Sequence, residues 1–370
     1  MPMPDMSWPD ERSVSHVRDS FSLISLRPPR PILALSAGAA GLAAGPAQAR
    51  PPMWFFDNYG AQGRQLEGIT WGLLLLSVAV VAIITLLVAV GLVLRARRGG
   101  ALRDDRDAVR RRDETGAMTA IYFGLGLTTA VLIAFTVWTM DTLANVRVPP
   151  AEPAFTIEVT GRQWWWQVRY IDPQNPERDF QTANEIHVPV GRPVKLLLKS
   201  DDVIHTFWVP ALGGKTDMIP GQTNTAWLLA DKPGIYRGQC NEYCGLQHAN
   251  MAFRVFADPP AEFDAWWEAQ RQPAPEPRSP LTSAGQDVFV KNCGVCHTVR
   301  GTIEKAQYGP DLTHLAARST LGAGIIPNNE GYLSGWISNP QGIKPGVKMP
   351  AIPLSGSDFT ALRAYLATLE

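Results

Sequence analysis

The sequence predicts a membrane-anchored multidomain protein: a two-helix transmembrane hairpin, a domain of short antiparallel β-strands, and a small all-α domain. Three observations predict it. Long apolar runs occur only in the first third of the chain. Residues 155–257 change to short branched and aromatic segments separated by Pro- and Gly-containing turns. The remainder returns to helical patterning, and all four cysteines fall into two short signatures, one in each of the later domains.

Composition narrows the class. Lys plus Arg and Asp plus Glu number 34 each, so bulk charge points to no nucleic acid and to no strongly charged partner. Both cysteine pairs are spoken for by their signatures, so a disulfide framework is not expected.

The first 49 residues read as an address. Arg27 and Arg30 precede an apolar stretch, 31–44, too short and too rich in Ala and Gly to span a bilayer. Ala47-Gln48-Ala49 then supplies an A-x-A cleavage pattern, so export and removal of residues 1–49 are expected. An N-terminal extension with a chance apolar patch is the alternative. Within 50–144 lie two runs, 69–94 and 118–140, each long enough for the ~20 helical residues that cross a ~30 Å hydrocarbon core. The arginine-rich connection between them, from Arg95 to Arg112, places that loop in the cytoplasm. Everything after about residue 145 is then outside.

From 150 to 258, segments such as Phe155-Thr-Ile-Glu-Val-Thr160 and Glu185-Ile-His-Val188 alternate apolar and polar residues. Segments 194–198 and 203–208 are branched and aromatic, and 227–229 alternates in part. Turns at Gly191-Arg-Pro193, Pro220-Gly221 and Pro233-Gly234 separate them, which predicts a sandwich or barrel. Residues 259–280 give a short amphipathic helix, 261–271, with Trp266 and Trp267, and then a Pro-rich linker. Extended at ~3.1 Å per residue, the linker spans up to roughly 28 Å. Residues 281–370 form the last domain, with its strongest helical pattern at 358–369.

The first signature is Cys240-Asn-Glu-Tyr-Cys244-Gly-Leu-Gln-His248-Ala-Asn-Met251, with His205 upstream in Asp202-Val-Ile-His205-Thr-Phe-Trp-Val-Pro210. The spacing suits a loop wrapped around a metal. Soft thiolates, imidazoles and a thioether favour copper. If both sulfurs bridge two coppers, the electron is shared across a rigid pair and little moves on reduction. A closed Cys2His2 zinc site or a disulfide is the alternative. The second signature, Cys293-Gly-Val-Cys296-His297, offers two thiols for thioether bonds to haem and an imidazole for its iron. A thioredoxin-type redox pair preceding a histidine is the alternative, though no βαβ pattern surrounds it. His314, in a stretch read as helix-like and close to the motif, is expected to be non-ligating.

The hairpin, Gly161-Arg-Gln-Trp164-Trp165-Trp166, the His205 segment, Gly214-Lys-Thr-Asp217-Met-Ile-Pro-Gly221 and the Cys240–Met251 loop together resemble subunit 2 of haem–copper cytochrome c oxidases, over about 55–258. With Tyr308-Gly-Pro-Asp-Leu312, Trp336 and Lys348-Met349-Pro350, residues 281–370 resemble a class I cytochrome c, so the whole is similar to the caa-type oxidases. The resemblance implies a cupredoxin-like β-barrel with a binuclear copper centre. Cys240 and Cys244 would bridge both ions, His205 and His248 would bind one each, and Met251 and the Glu242 carbonyl would be the weak outer ligands.

It also implies that the Glu242 side chain reaches a magnesium ion shared with subunit 1, and that Trp164 receives electrons. In the haem domain Cys293 and Cys296 would hold haem c, with His297 and Met349 as the axial iron ligands. Implied partners are oxidase subunits 1 and 3 and an external donor such as a cytochrome c or a quinol–cytochrome c reductase. The implied location is the bacterial inner membrane, with both redox domains on the periplasmic side. The implied function is electron input to a proton-pumping oxidase, the oxygen-reducing site lying in subunit 1. A free-standing membrane-anchored electron carrier and a copper-delivery protein are the alternatives; the Glu242/Asp217 pair has no obvious use in the former. One departure stands out. In the family the second span opens with a glutamate followed by Trp and Pro, whereas here Glu114 has neither in register, so it is not assigned a role.

Overall fold

The computed structural model describes residues 53, 56–97, 114–302, 306 and 308–370. The expected leader, 1–49, and the basic connection 98–113 lie outside the described residues, as do the side chain and role of Glu114.

Two long helices come first, α1 (Ala61–Arg97) and α2 (Glu114–Val146). Their most apolar windows reach mean hydropathies of 3.2 and 2.0, and both outrun the expected spans because helix-compatible polar residues flank the apolar runs. Leu87 and Phe123 stand 66% and 70% exposed, a surface that lipid can cover and water would penalise. Three hydroxyls turn back onto their own helices: Thr70, Ser77 and Thr136 donate to the Leu66, Leu73 and Leu132 carbonyls at 2.9, 2.8 and 2.8 Å.

Both ends of the hairpin grip the next domain. The Tyr59 amide donates to the Ala211 carbonyl (2.8 Å), the Asp231 amide to the Tyr59 carbonyl (2.7 Å), and Trp227 Nε1 to the Val146 carbonyl (2.9 Å).

That domain comprises two five-stranded sheets, in the orders β3-β2-β1-β5-β8 and β4-β10-β9-β6-β7. The first is built from β1 (Thr156–Arg162), β2 (Trp165–Ile171), β3 (Phe180–Ala183), β5 (Val194–Ser200) and β8 (Asn224–Leu228). The second uses β4 (Glu185–Pro189), β6 (His205–Trp208), β7 (Thr216–Met218), β9 (Gly234–Cys240) and β10 (Ala252–Asp258). Neighbours are antiparallel except β1–β5 and β4–β10, where the chain crosses over before it returns. This is the cupredoxin-like β domain expected, formed as a half-barrel of two sheets; the two parallel pairings depart from the all-antiparallel expectation.

The period of two sorts the tryptophan cluster. Along β2, Trp166, Val168 and Tyr170 point into the core, while Trp165 faces outward beneath Arg162. The segment expected from 203 starts as a strand only at His205, because Val203 donates its amide to Asp202 Oδ1 in a turn.

Helix α3 (Pro260–Arg271) closes one end of the sandwich. Phe263 and Trp267 meet the Phe155 ring at 5.4 and 5.0 Å, and Trp266 stacks on His187 at 4.1 Å.

The last domain holds α4 (Pro280–Asn292), the ribbon β11 (Thr320–Leu321) and β12 (Ile326–Pro327), α5 (Glu330–Ser338), α6 (Pro340–Ile343) and α7 (Gly356–Leu366). Helices α4 and α7 cross at Gly285, where a Cβ would lie 2.7 Å from the Tyr365 Cβ. Phe289 and Tyr365 face each other there at 5.8 Å. Ser279 and Thr282 form a capping box that starts α4.

The linker does not stand free. Ala274 donates its amide to the Arg300 carbonyl (3.0 Å), and Arg300 returns hydrogen bonds to the Gln270 and Gln272 carbonyls.

Candidate metal centre and haem site

Strand β9 ends at Cys240, and the chain loops through Cys244 and a 3-10 turn at His248–Asn250 before Met251 leads into β10. The neighbouring β6 brings His205 alongside. Cys240 Sγ and Cys244 Sγ stand 3.8 Å apart as free thiols. A disulfide needs about 2.05 Å, so none joins them. His205 Nδ1 lies 3.9 Å from Cys240 Sγ, and His248 Nδ1 lies 3.6 Å from Cys244 Sγ. Met251 Sδ is 3.8 Å from Cys244, and the Glu242 carbonyl 3.3 Å from Cys240.

The donors thus divide into two halves about the sulfur pair: His205 and the Glu242 carbonyl beside Cys240, His248 and Met251 beside Cys244. His205, Cys240 and Cys244 offer atoms within 4.8 Å of one another, and His248 falls outside that group. A tetrahedral ion with bonds of about 2.0–2.3 Å would draw all four into one cluster. An elongated six-donor set suits two ions that share the thiolates.

One imidazole is aimed from behind. His205 is fully buried, and its Nε2 meets Asp202 Oδ1 at 2.8 Å, which leaves Nδ1 for the sulfurs. Burial acts to raise the Asp202 pKa, but the His205 ring and the Gln163 and Val203 amides outweigh it and hold the carboxyl below its ordinary value. On the far side, a Cβ at Gly161 would lie 2.8 Å from the His205 ring, so only glycine admits the ring in that pose. The Cys244 thiol holds Cys240 far below the usual thiol range, to about 3, with His205 and backbone groups acting against burial; Cys244 is raised in turn. A cation held by both sulfurs would have to displace the protons they carry.

Trp164 lies beside this loop. Its Nε1 donates to the Cys244 carbonyl at 3.0 Å, and Gln163 Nε2 donates to the same oxygen at 2.8 Å. The Glu242 side chain is exposed, whereas Asp217 accepts from Thr206 Oγ1 at 2.7 Å. The Asn241 amide reaches the Thr206 carbonyl, so Glu242 follows β9 on one side of β6 while Asp217 lies on β7 on the other.

In the helical domain, Cys293 caps the C-terminal end of α4, with Cys296 and His297 in the turn that follows. Both thiols are free and half-buried. Burial, with Cys296 nearby, pushes Cys293 up to about 11. Redox-active Cys-x-x-Cys pairs need the opposite, a thiol lowered at a helix N-terminus, so the thioredoxin-type alternative does not fit. His297 Nδ1 donates to the Pro310 carbonyl (2.8 Å), which leaves Nε2 for iron. Burial, and secondarily the Arg318 charge, lowers its pKa against the Pro310 carbonyl and keeps the ring neutral. Gly309 leaves room for that ring, since a Cβ there would stand 2.6 Å from Cε1. Met349 is half-buried on the irregular segment between α6 and α7, and Gln341 binds its carbonyl at 3.0 Å.

His314 is not in a helix. The Asp311 side chain takes the Thr313 amide that a helix would use, and Thr313 Oγ1 accepts from the distant Arg300 amide. Its ring nitrogens face the Glu370 and Gln272 carbonyls at 2.5 and 3.1 Å, so the ring ties the linker to the domain and is not offered to a metal.

Asp202, Gln163 and the Pro310 carbonyl were not assigned roles from sequence. Asp202 carried a usable signal, a carboxylate three residues before a candidate ligand in a turn. The other two act through contacts that no linear pattern reports.

A half-barrel with a two-thiolate, two-imidazole loop, joined to a helical domain with a haem-attachment signature and preceded by two apolar helices, defines a membrane-anchored two-centre redox protein. Residues 155–257 match the family described as cytochrome c oxidase subunit II, periplasmic domain, and residues 282–370 match cytochrome c. The chain thus carries a cytochrome c oxidase subunit II domain fused to a C-terminal cytochrome c domain, the first implying copper and the second haem.

Among curated proteins it is 44% identical to cytochrome c oxidase subunit 2 of Alkalihalophilus pseudofirmus over 216 residues, 58% of this chain and 61% of that one. It is 33% identical to the same subunit of a Bacillus species over 226 residues, 58% and 62% of the two chains. The aligned part of the chain spans a little over three fifths of these relatives' length. Among solved structures, the periplasmic domain of cytochrome oxidase subunit II from Bradyrhizobium japonicum is 34% identical, with a TM-score of 0.31, covering 33% of this chain and 96% of that one.

Proposed function

We propose that this chain is the electron-input subunit of a proton-pumping cytochrome c oxidase. It passes electrons from an external donor through a covalent haem c and a binuclear copper centre to subunit 1, where oxygen is reduced. The observation that carries this reading is the split six-donor set about the Cys240/Cys244 pair, beside Trp164 and within one compact unit with the haem domain.

In this reading Cys240, Cys244, His205 and His248 would hold the copper centre, with Met251 and the Glu242 carbonyl as its weaker donors. Cys293 and Cys296 would hold the haem covalently, with His297 and Met349 offered to its iron. Bound at these residues, the two groups supply one-electron redox chemistry. The chain's own residues do the rest. Asp202 fixes the His205 ring, the Pro310 carbonyl fixes His297, and Met349 brings a thioether that favours reduced iron. Trp164 links the haem side to the copper loop through the Cys244 carbonyl. Buried, strand-anchored donors move little, which keeps reorganisation small.

The exposed Glu242 is offered to a magnesium ion shared with subunit 1, and subunit 3 completes the membrane partners. Two spans anchor the chain in a bacterial inner membrane, with both redox domains on the periplasmic side. The test is co-purification. After mild detergent extraction, a multi-span haem protein should accompany this chain in fixed ratio, with oxygen uptake on a reduced c-type donor. Its repeated absence would return the chain to a free-standing carrier.

A further inference from the structure

Lys344 is a lysine with almost no exposure, 1%, in a Gly- and Pro-rich stretch where a solvated side chain would be the ordinary outcome. Its Nζ donates to three carbonyls: Trp164 at 2.8 Å, Asn250 at 2.7 Å and Gly322 at 2.8 Å. An ammonium has three donors, and here each finds one acceptor. The Trp164 and Asn250 carbonyls belong to the half-barrel, the first beside the copper loop and the second inside it. Gly322 belongs to the haem domain. The set of three is complete only while the two domains are docked.

What the lysine holds together matters more than its burial. Trp164 is gripped at both ends, with its carbonyl on Lys344 and its Nε1 on the Cys244 carbonyl. Five residues beyond Lys344 comes Met349. Between them, Gly346 backs onto the indole, and a Cβ there would lie 3.5 Å from Trp164 Cζ3. Neighbouring contacts support the same pose. Gln247 Nε2 donates to the Pro345 carbonyl (2.7 Å), and the Ala252 amide donates to the Ala323 carbonyl (3.0 Å). The buried Glu185 of β4 accepts from the Ser319 and Thr320 amides at 2.9 and 3.1 Å. Each domain therefore buries one charged side chain against polar groups of the other, an arrangement that specifies a single register, since a slipped pose leaves both charges unpaired.

We propose that Lys344 is a positioning residue for transfer between the two centres: it latches the Met349-bearing loop of the haem domain onto the main chain of Trp164 and keeps that tryptophan covered. This rests on the electron-input reading above. One electron crosses per event, leaving haem iron and arriving at the copper pair.

The test uses the full-length chain with copper and haem bound, as wild type, Lys344→Met and Arg254→Ala. Arg254 donates to Ser319 Oγ at 3.0 Å, across the same interface but at a different point from the Trp164 contact. Two readouts are taken: amide exchange at Ala252 and across 344–347, and the rate at which an electron placed on the haem reaches copper. Misplacing positioned reactants by about 1 Å costs up to about 100-fold, so a loss of about tenfold or more in transfer is expected for Lys344→Met. Faster amide exchange should accompany it, with both absorption spectra and both potentials unchanged. Arg254→Ala should stay within about twofold of wild type, because it leaves the Trp164 contact intact.

Wild-type exchange and wild-type transfer in Lys344→Met would overturn the latch. If that variant fails to accumulate, Lys344→Gln, which keeps two donors, must show an intermediate loss, and wild-type behaviour there overturns it equally. Amide exchange reads the latch without any electron. Lost protection in Lys344→Met, with no haem-to-copper transfer in wild type, would overturn the electron-input reading and leave the latch standing.

Discussion

In the half-barrel, His205, Cys240, Cys244 and Met251 are exposed by 2% or less, and they sit on or between neighbouring strands of one sheet. In the helical domain, His297 and Met349 are half-buried and ride on irregular chain, one fixed by a single carbonyl and the other by its backbone alone. The contrast follows from what each site is to hold. Bare ions bring no framework, so the protein must fix every donor and orient it from behind. Haem brings a rigid macrocycle, so its domain needs only two attachment thiols, one oriented imidazole and a thioether on a loop.

Substitutions at the two sites should differ in size and in kind. The largest effects come from removing a thiol. Cys240→Ser or Cys244→Ser should abolish copper binding while leaving haem covalently attached, and Cys293→Ala with Cys296→Ala should do the reverse. Metal analysis, together with haem staining of a denaturing gel, reads both. Loss of both groups from either variant would mean that the two sites are not independently held.

The thioethers should have smaller effects and differ in kind. Met349→Ala should lower the haem potential and open the iron to external ligands, because a loop-borne ligand is not replaced by its surroundings. Met251→Leu should shift the copper potential while haem attachment stays intact. An unchanged potential and spectrum in either variant would remove that methionine from the ligand set.

The smallest effect belongs to the residue behind a ligand. Asp202→Asn should weaken copper binding by about 10–100-fold, the usual cost of losing an orienting carboxylate. It should also change the acid limb of the metal-free protein. The folded pKa of Asp202 lies below its ordinary 3.8. Its stabilising contribution is therefore present above about pH 3.8 and lost as pH falls through the lower folded value. Acid unfolding of Asp202→Asn should lack that step; an identical acid titration would show that the His205 contact contributes nothing to folding.

How much of this was legible in the sequence depends on how local each feature is. The Cys240–Met251 loop and Cys293-Gly-Val-Cys296-His297 are contiguous, so their spacing exposes them. The apolar runs gave both long helices, and the turn residues gave most of the strands. The tryptophan cluster was harder, because only the register of β2 separates core Trp166 from outward Trp165 and from Trp164 at the copper loop. His314 was expected in a helix-like stretch, and the structure forms none there. The Asp311 side chain captures the Thr313 amide, which hydrophobic periodicity does not report. Lys344 was invisible, because all three of its acceptors are main-chain oxygens, two of them 94 and 180 residues away.

The central claim is that the Cys240/Cys244 pair holds two coppers on a chain that also carries one haem. Metal content and electron paramagnetic resonance of the full-length protein, matured with haem and copper supplied, test it most directly. The account predicts two coppers per covalent haem and a mixed-valence signal shared equally by both ions. One zinc per haem, or haem with no copper, would contradict it and reduce the half-barrel loop to a structural element beside an anchored cytochrome.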